Sequence, residues 1–207
     1  MLNRSSVRVF IRGARLSFPS LDRPRASTLD ASGAEKYQAT FLLEPDNPCV
    51  AALREACTKV ARQAFGDKAD AVLRNPERLP VRRGDDKEKV PEGYAGMLYI
   101  SARSNQAPEL RDANPNIMIH GEQAIREKFV AGYKVNGYVD IFPYEVKAAN
   151  GAVVRSGISA GLVSVQFAGY ADPFSGRPAT QATDYPDCSA DVGGDYIPAA
   201  ADDDIPF

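Results

Sequence analysis

VRVFIRGARLSFP, Val7 to Pro19, is the stretch on which the reading of the fold turns. Val7, Val9 and Ile11 alternate with Arg8, Phe10 and Arg12, the period of a strand with one buried face. After Gly13 the apolar parity shifts onto Ala14, Leu16 and Phe18. A parity shift at a glycine inside an otherwise continuous strand reads as a bulge or bend, the device by which one long strand curls enough to serve a small barrel. Pro19 is predicted to end it.

Working outward, residues 19–34 are rich in Pro, Ser, Asp and Gly and read as a loop. KYQATFLLE, Lys36 to Glu44, is a second strand with Tyr37, Ala39, Phe41 and Leu43 inward. Asn47 as N-cap, Pro48 at the first helical position and Val50, Leu53, Cys57, Val60 and Ala64 at steps of three and four predict a helix closed by Phe65 and Gly66. A shorter helical piece covers Asp70 to Leu73. NPERLPVRRGDDKEKVPEGYAG, residues 75–96, mixes prolines, glycines and charge and reads as a long exposed loop. GMLYISARS, Gly96 to Ser104, is a third strand, followed by a polar loop, NQAPELRDANPN, and a short helix over Glu122 to Val130. GYKVNGYVDIFPYEV is the fourth strand, with Val135, Val139 and Ile141 on one face and Lys134, Tyr138, Asp140, Phe142 and Tyr144 on the other. Asn150-Gly151 is a hairpin dipeptide, and SGISAGLVSVQF is the fifth strand. The fold class is therefore mainly β with one substantial helix: a five-stranded Greek-key barrel of the OB type with elaborated loops.

The chain has 207 residues, 44% of them hydrophobic and 25% charged, which suits one core with a tail. No apolar run approaches the roughly 20 residues that span a bilayer, and MLNRSSVRVFIRG lacks the apolar region of a secretory signal. No membrane partner is expected, and the expected location is the cytoplasm. Cys49, Cys57 and Cys188 follow no disulfide or metal spacing, and with the single histidine, His120, they make no zinc constellation. No metal and no cofactor is expected. Nothing in the pattern fixes an oligomeric state.

The formal net charge of −2 hides an asymmetry. From Tyr170 to Phe207 there are eight acidic residues and one basic, against 24 basic and 19 acidic in the rest of the chain. A mildly basic body, residues 1–169, thus carries an acidic tail: residues 170–201, without periodicity, read as a flexible linker, and residues 202–207 as a distinct tip.

Catalysis finds little support. Nothing near His120 resembles an activated nucleophile, and a lone histidine is more often structural. The Asp85-Asp86 pair could in principle hold a divalent metal for nuclease work, but among Arg82, Arg83, Lys87 and Lys89 it reads as a solvated charge run. No P-loop or GxGxxG is present. Binding is better supported, because the polar strand faces interleave rings with cations: Arg8, Phe10 and Arg12 on the first strand, Tyr99 and Arg103 on the third, Lys134, Tyr138, Phe142 and Tyr144 on the fourth. Single-stranded nucleic acid needs such a surface, since bases stack on rings at about 1–3 kcal/mol each and cations track the phosphates. Arg82, Arg83, Lys87 and Lys89 are candidate phosphate contacts from the loop.

Two resemblances add to this. Asp202-Asp203-Asp204-Ile205-Pro206-Phe207 resembles the acidic tip of bacterial single-stranded DNA-binding proteins, which implies docking on replication, recombination or repair enzymes through Ile205, Pro206 and the terminal Phe207 behind three acids. The body is similar instead to a bacteriophage family of single-stranded DNA-binding proteins. The carrying stretches are ARLSFPSL, EKYQATFLL, VRRGDDK with GYAGMLYISARS, and GYKVNGYVDIFPY with the fifth strand. That resemblance implies an OB-fold that coats exposed single-stranded DNA during phage replication in the cytoplasm of an infected bacterium, without catalysis. The alternative is an interaction module or decoy whose tip occupies host tail-binding enzymes while its barrel binds no DNA.

Overall fold

The computed structural model describes residues 5–26 and 34–174. The tip, Asp202 to Phe207, and the linker beyond Phe174 lie outside the described residues. The strands are β1 (Val7–Ala26), β2 (Glu35–Leu43), β3 (Val81–Arg83), β4 (Leu98–Ser104), β5 (Glu109–Arg111), β6 (Lys134–Lys147) and β7 (Val153–Gly169). The helices are α1 (Pro48–Phe65), α2 (Ala69–Leu73) and α3 (Gln123–Lys128).

β1 is the shared element. It pairs antiparallel with β6 from Val7↔Ile141 to Arg15↔Lys134 and with β2 from Arg15↔Leu42 to Ala26↔Glu35. The change of partner falls just after Gly13, where the register shifts between Ile11 and Ala14 and the backbone takes φ +67°. The Gly13 N–H, released from the ladder, donates to Asn136 Oδ1 at 2.9 Å. β2 continues to β4, β6 continues to β7, and one parallel bridge, Arg103↔Gly161, joins β4 to β7 and closes a five-stranded barrel. This is the OB architecture.

Ile11, Ala14, Leu16, Phe41, Ile100, Val135, Val139 and Ile141 fill the interior. α1 begins as the caps dictate: the Asn47 side chain accepts from the Cys49 N–H at 2.9 Å and Pro48 follows. Its buried stripe, Val50, Leu53, Ala56, Cys57, Val60 and Ala61, packs against β1, β6 and β7. Burial pushes the Cys57 thiol up to about 12.

Four expectations are corrected. β1 does not end at Pro19 but runs on to Ala26, because a strand can carry proline where the missing N–H is not required by a neighbour. Phe18 does not face inward: at φ +45° it turns out and is 54% exposed. Residues 75–96 are not wholly an exposed loop, since they hold β3, paired to β4, and the almost fully buried Tyr94. The polar stretch 105–116 contains β5, which pairs parallel with β7 and buries Leu110. In each of the last two cases a few apolar side chains, Leu79, Val81 and Tyr94 in the first and Leu110 in the second, anchor a segment rich in polar residues, and composition averages them away. The compact body continues through Phe174.

Gly137, inside β6, shows how tightly the interior is filled: a Cβ there would lie 2.7 Å from the Ser164 carbonyl oxygen and 2.8 Å from the Phe41 ring. Gly137→Ala is expected to cost about 1–3 kcal/mol of overpacking, a fall in Tm of roughly 3–10 °C in a thermal melt followed by circular dichroism.

Candidate nucleic-acid interface

The outer face is built by strand alternation. On β6, Tyr138, Asp140, Phe142 and Tyr144 all point away from the core, opposite Ser164, Gly161, Ser159 and Gly157 of β7. These β7 partners are small, and the rings of β6 lie against them. A Cβ on Gly157 would come to 3.0 Å from Tyr144, and one on Gly161 to 3.4 Å from Phe142. On β4, Tyr99, Ser101 and Arg103 face outward by the same alternation that buries Ile100 and Ala102.

Barrel closure brings these two faces together. A groove of about 550 Å³ runs between them, lined by Arg82, Lys87, Tyr99, Arg103, Phe142 and Tyr144, with Arg155 and Ser159 on its β7 side. Arg103 also borders two neighbouring depressions. One is shared with Phe142 and leads to Arg8 and Asp140; the other passes Lys87 and leads to Phe18, Arg25, Lys36 and Gln38. The three hollows therefore meet at Arg103, the residue at the closing bridge.

Three of the groove's cations, Arg82, Arg103 and Lys87, are held in place. Arg82 donates from Nη2 to the Glu77 carbonyl at 2.9 Å and from Nε to the Leu79 carbonyl at 3.3 Å. Arg103 Nε donates to Gln38 Oε1 at 3.0 Å. Lys87 Nζ sits 4.7 Å from the Tyr99 ring centroid and 5.1 Å from that of Tyr94, a double cation–π contact. Burial, and secondarily the Arg82 charge, holds its ammonium below the usual lysine range.

The Lys87 segment is fixed from beneath. Tyr94 inserts between strand faces with its hydroxyl 3.2 Å from Ser17 Oγ, and burial raises its phenol above the ordinary tyrosine value. Asp85 accepts from the Gly96 N–H at 2.8 Å and lies 3.6 Å from Arg83. Asp85 thus acts as a clip across the loop base. Among the described residues no three His, Cys, Asp or Glu side chains are grouped as metal ligands. His120 is engaged with the Pro108 carbonyl at 2.9 Å and edge-on to Tyr37.

Not every candidate residue reaches the groove. Phe10 and Tyr138 form a separate outer pair, ring centroids 4.9 Å apart and 41% and 43% exposed. Arg8 is ion-paired with Asp140 through two bonds of 2.9 and 3.0 Å. Asp140 holds the guanidinium above its ordinary pKa. Arg12 and Lys134 are exposed near the Phe10–Tyr138 end of the face. Arg83 borders a different cleft, beside α1, and Lys89 is exposed and lines none of the three hollows. The sequence reading missed Arg155, hidden just beyond a hairpin turn, and Phe18 and Gln38, whose faces are assigned only by knowing where β1 bends.

Architecture and surface together define an OB barrel with an open aromatic and cationic face. The family model described as "Enterobacter phage Enc34, ssDNA-binding protein" matches residues 7–197, and the chain belongs to that family. Protein p50 of Acyrthosiphon pisum secondary endosymbiont phage 1 is 29% identical over 189 residues, 88% of this chain and 95% of that one. Among solved structures, the single-stranded DNA-binding protein of bacteriophage Enc34 in complex with ssDNA superposes with TM-score 0.64 at 23% identity, covering 81% of this chain and 89% of that chain. The bacteriophage T7 single-stranded DNA-binding protein gp2.5 shares the fold at TM-score 0.52 and 11% identity, covering 86% and 98%.

Tyr94→Ala removes the side chain that anchors the loop. It is expected to cost about 3–5 kcal/mol, as for other large buried aromatics. Hydrogen exchange should rise first in residues 84–96, ahead of the barrel strands.

Proposed function

We propose that this protein is a non-enzymatic, largely sequence-independent single-stranded DNA-binding protein acting in phage DNA replication and recombination in the cytoplasm of the infected host. The observation that supports this most is the convergence of Tyr99, Phe142 and Tyr144 with Arg82, Lys87 and Arg103 in one open groove, on a chain of this family. Rings lining an open groove take bases on their faces without reading base edges, and the cations neutralise phosphates. Arg8, Phe10, Arg12, Lys134 and Tyr138 extend the same surface, while Arg83 and Lys89 serve the strand only through their long-range charge. The tip, Asp202 to Phe207, outside the described residues, is the segment that recruits replication, recombination or repair proteins.

The test is fluorescence anisotropy with a labelled oligothymidylate across a salt series. Tyr99→Ala with Phe142→Ala should weaken binding by about 1–3 kcal/mol per lost ring at constant salt. Arg103→Ala should also lessen the slope of log affinity against log salt by about 0.7. A barrel unaffected by either change would mean the groove is not the binding surface.

Lys87 gives a pH signature. Its depressed pKa means that the charge is lost at a lower pH than an ordinary lysine would lose it. Affinity should therefore fall as pH rises from neutrality toward the usual lysine range, and Lys87→Arg should flatten that fall, since arginine stays protonated. Deleting residues 202–207 should leave oligonucleotide affinity unchanged or higher while abolishing retention of host replication proteins on a column bearing this protein.

A further inference from the structure

The outer face carries its rings in two groups, and between them stands an ion pair instead of a free cation. Tyr99, Phe142 and Tyr144 stand in the groove. Phe10 and Tyr138 stand apart, directly cross-strand neighbours in the β1–β6 ladder. Two residues along that ladder, past Val9↔Val139, lies Arg8↔Asp140, the ion-paired couple, and the hollow shared with Phe142 and Arg103 is also lined by these two residues. Tyr138, Asp140 and Phe142 share one face of one strand, so Tyr138 and Phe142 are about 13 Å apart along β6. A stacked strand rises only about 3.4 Å per base. Bases on Phe142 cannot continue by simple stacking onto Tyr138; the strand must cross a gap of several base rises in which the Arg8 guanidinium is already engaged by the Asp140 carboxylate.

Resting on the function proposed above, we propose that the face binds single strands at two separate stacking subsites, the groove and the Phe10–Tyr138 platform, with the Arg8–Asp140 pair as the divider between them. Short strands fill the groove alone. Longer ones cross the divider and gain the platform, with Arg12 and Lys134 receiving the phosphates beyond it. Asp140 has two effects in this arrangement: it engages the Arg8 guanidinium that would otherwise meet a phosphate, and it repels the backbone at the crossing. Affinity therefore climbs with length in a step rather than smoothly.

The experiment titrates oligothymidylates from about four to about sixteen nucleotides, the range of site sizes seen for single folds of this kind. It uses the full chain and three proteins: wild type, Phe10→Ala with Tyr138→Ala, and Asp140→Asn, each checked for an unchanged circular dichroism melt. The wild type should show a step in affinity at intermediate length. The double variant should bind the shortest strand within about twofold of wild type and lose the step, weakening the longest by at least tenfold, as expected for two lost stacking contacts. Asp140→Asn keeps the shape and removes the charge, so it should strengthen binding of the longest strand by roughly fivefold, the size of one unit-charge contact in water, and leave the shortest unchanged. Equal weakening at every length in the double variant, or no weakening of the longest, overturns the two-subsite arrangement, and so does an Asp140→Asn protein that binds long strands more weakly. Failure of wild type to bind any length is a different result, which removes the function proposed above.

Discussion

Closure of the barrel at the parallel bridge between Arg103 and Gly161 is the contact on which the rest of the surface depends. Before closure β4 lies at one end of the sheet and β7 toward the other, separated by β2, β1 and β6. The curl that brings them together is generated in β1, which pairs with β6 up to Arg15 and with β2 from Arg15 onward, the change falling just past Gly13. Gly13 provides the local bend at φ +67°, and the freed N–H is satisfied by Asn136 so that the bulge leaves no orphan donor. Only a closed barrel sets Tyr99 of β4 opposite Phe142 and Tyr144 of β6, and it sets Arg103 where three hollows join.

Within that frame the cations are positioned by neutral groups. Backbone carbonyls hold Arg82, an amide holds Arg103, and two ring faces hold Lys87. None of these neighbours cancels charge, whereas Arg8, outside the groove, is paired with a carboxylate. A guanidinium ordered by carbonyl or amide partners keeps its full charge and loses less rotamer freedom when an anion arrives. The groove is thus preorganised for anions in a way that the count of cations in the chain does not reveal. The anchoring of Lys87 depends in turn on Tyr94, an apolar body with a polar tip satisfied by Ser17.

Much of this was legible in the sequence because strand alternation is a local signal. The parity shift at Gly13, the outward rings of the fourth strand and the capped helix are each set by a few adjacent residues, and the structure has them in place. What escaped is non-local. Phe18 belongs to the inner parity by counting, but the backbone turns there and the ring faces a hollow lined from β2 and β4. β3 and β5 are three residues each, too short for a period, and exist because neighbouring strands offer free edges. Arg83 and Lys89 sit in the same charge run as Arg82 and Lys87, and no feature of that run says which two turn toward the groove.

The small residues of β7 decide the depth of the surface. Tyr144, Phe142 and Asp140 face Gly157, Ser159 and Gly161 across the ladder, and the first of these glycines also meets the Arg78 carbonyl oxygen, 2.7 Å from where a Cβ would stand. A β-branched or aromatic residue at these positions would be the ordinary choice for a strand and would fill the trough with its own side chain. Gly and Ser weaken the strand locally, and the structure tolerates that cost because β6 pairs with β7 from Val153 to Gly169, with β4 adding a bridge at Gly161 and β5 pairing at residues 164–166 on the other edge. The open groove is therefore made by side chains that are absent on β7 as much as by rings present on β6, and SGISAG, Ser156 to Gly161, is as much a part of the binding surface as the aromatic residues above it.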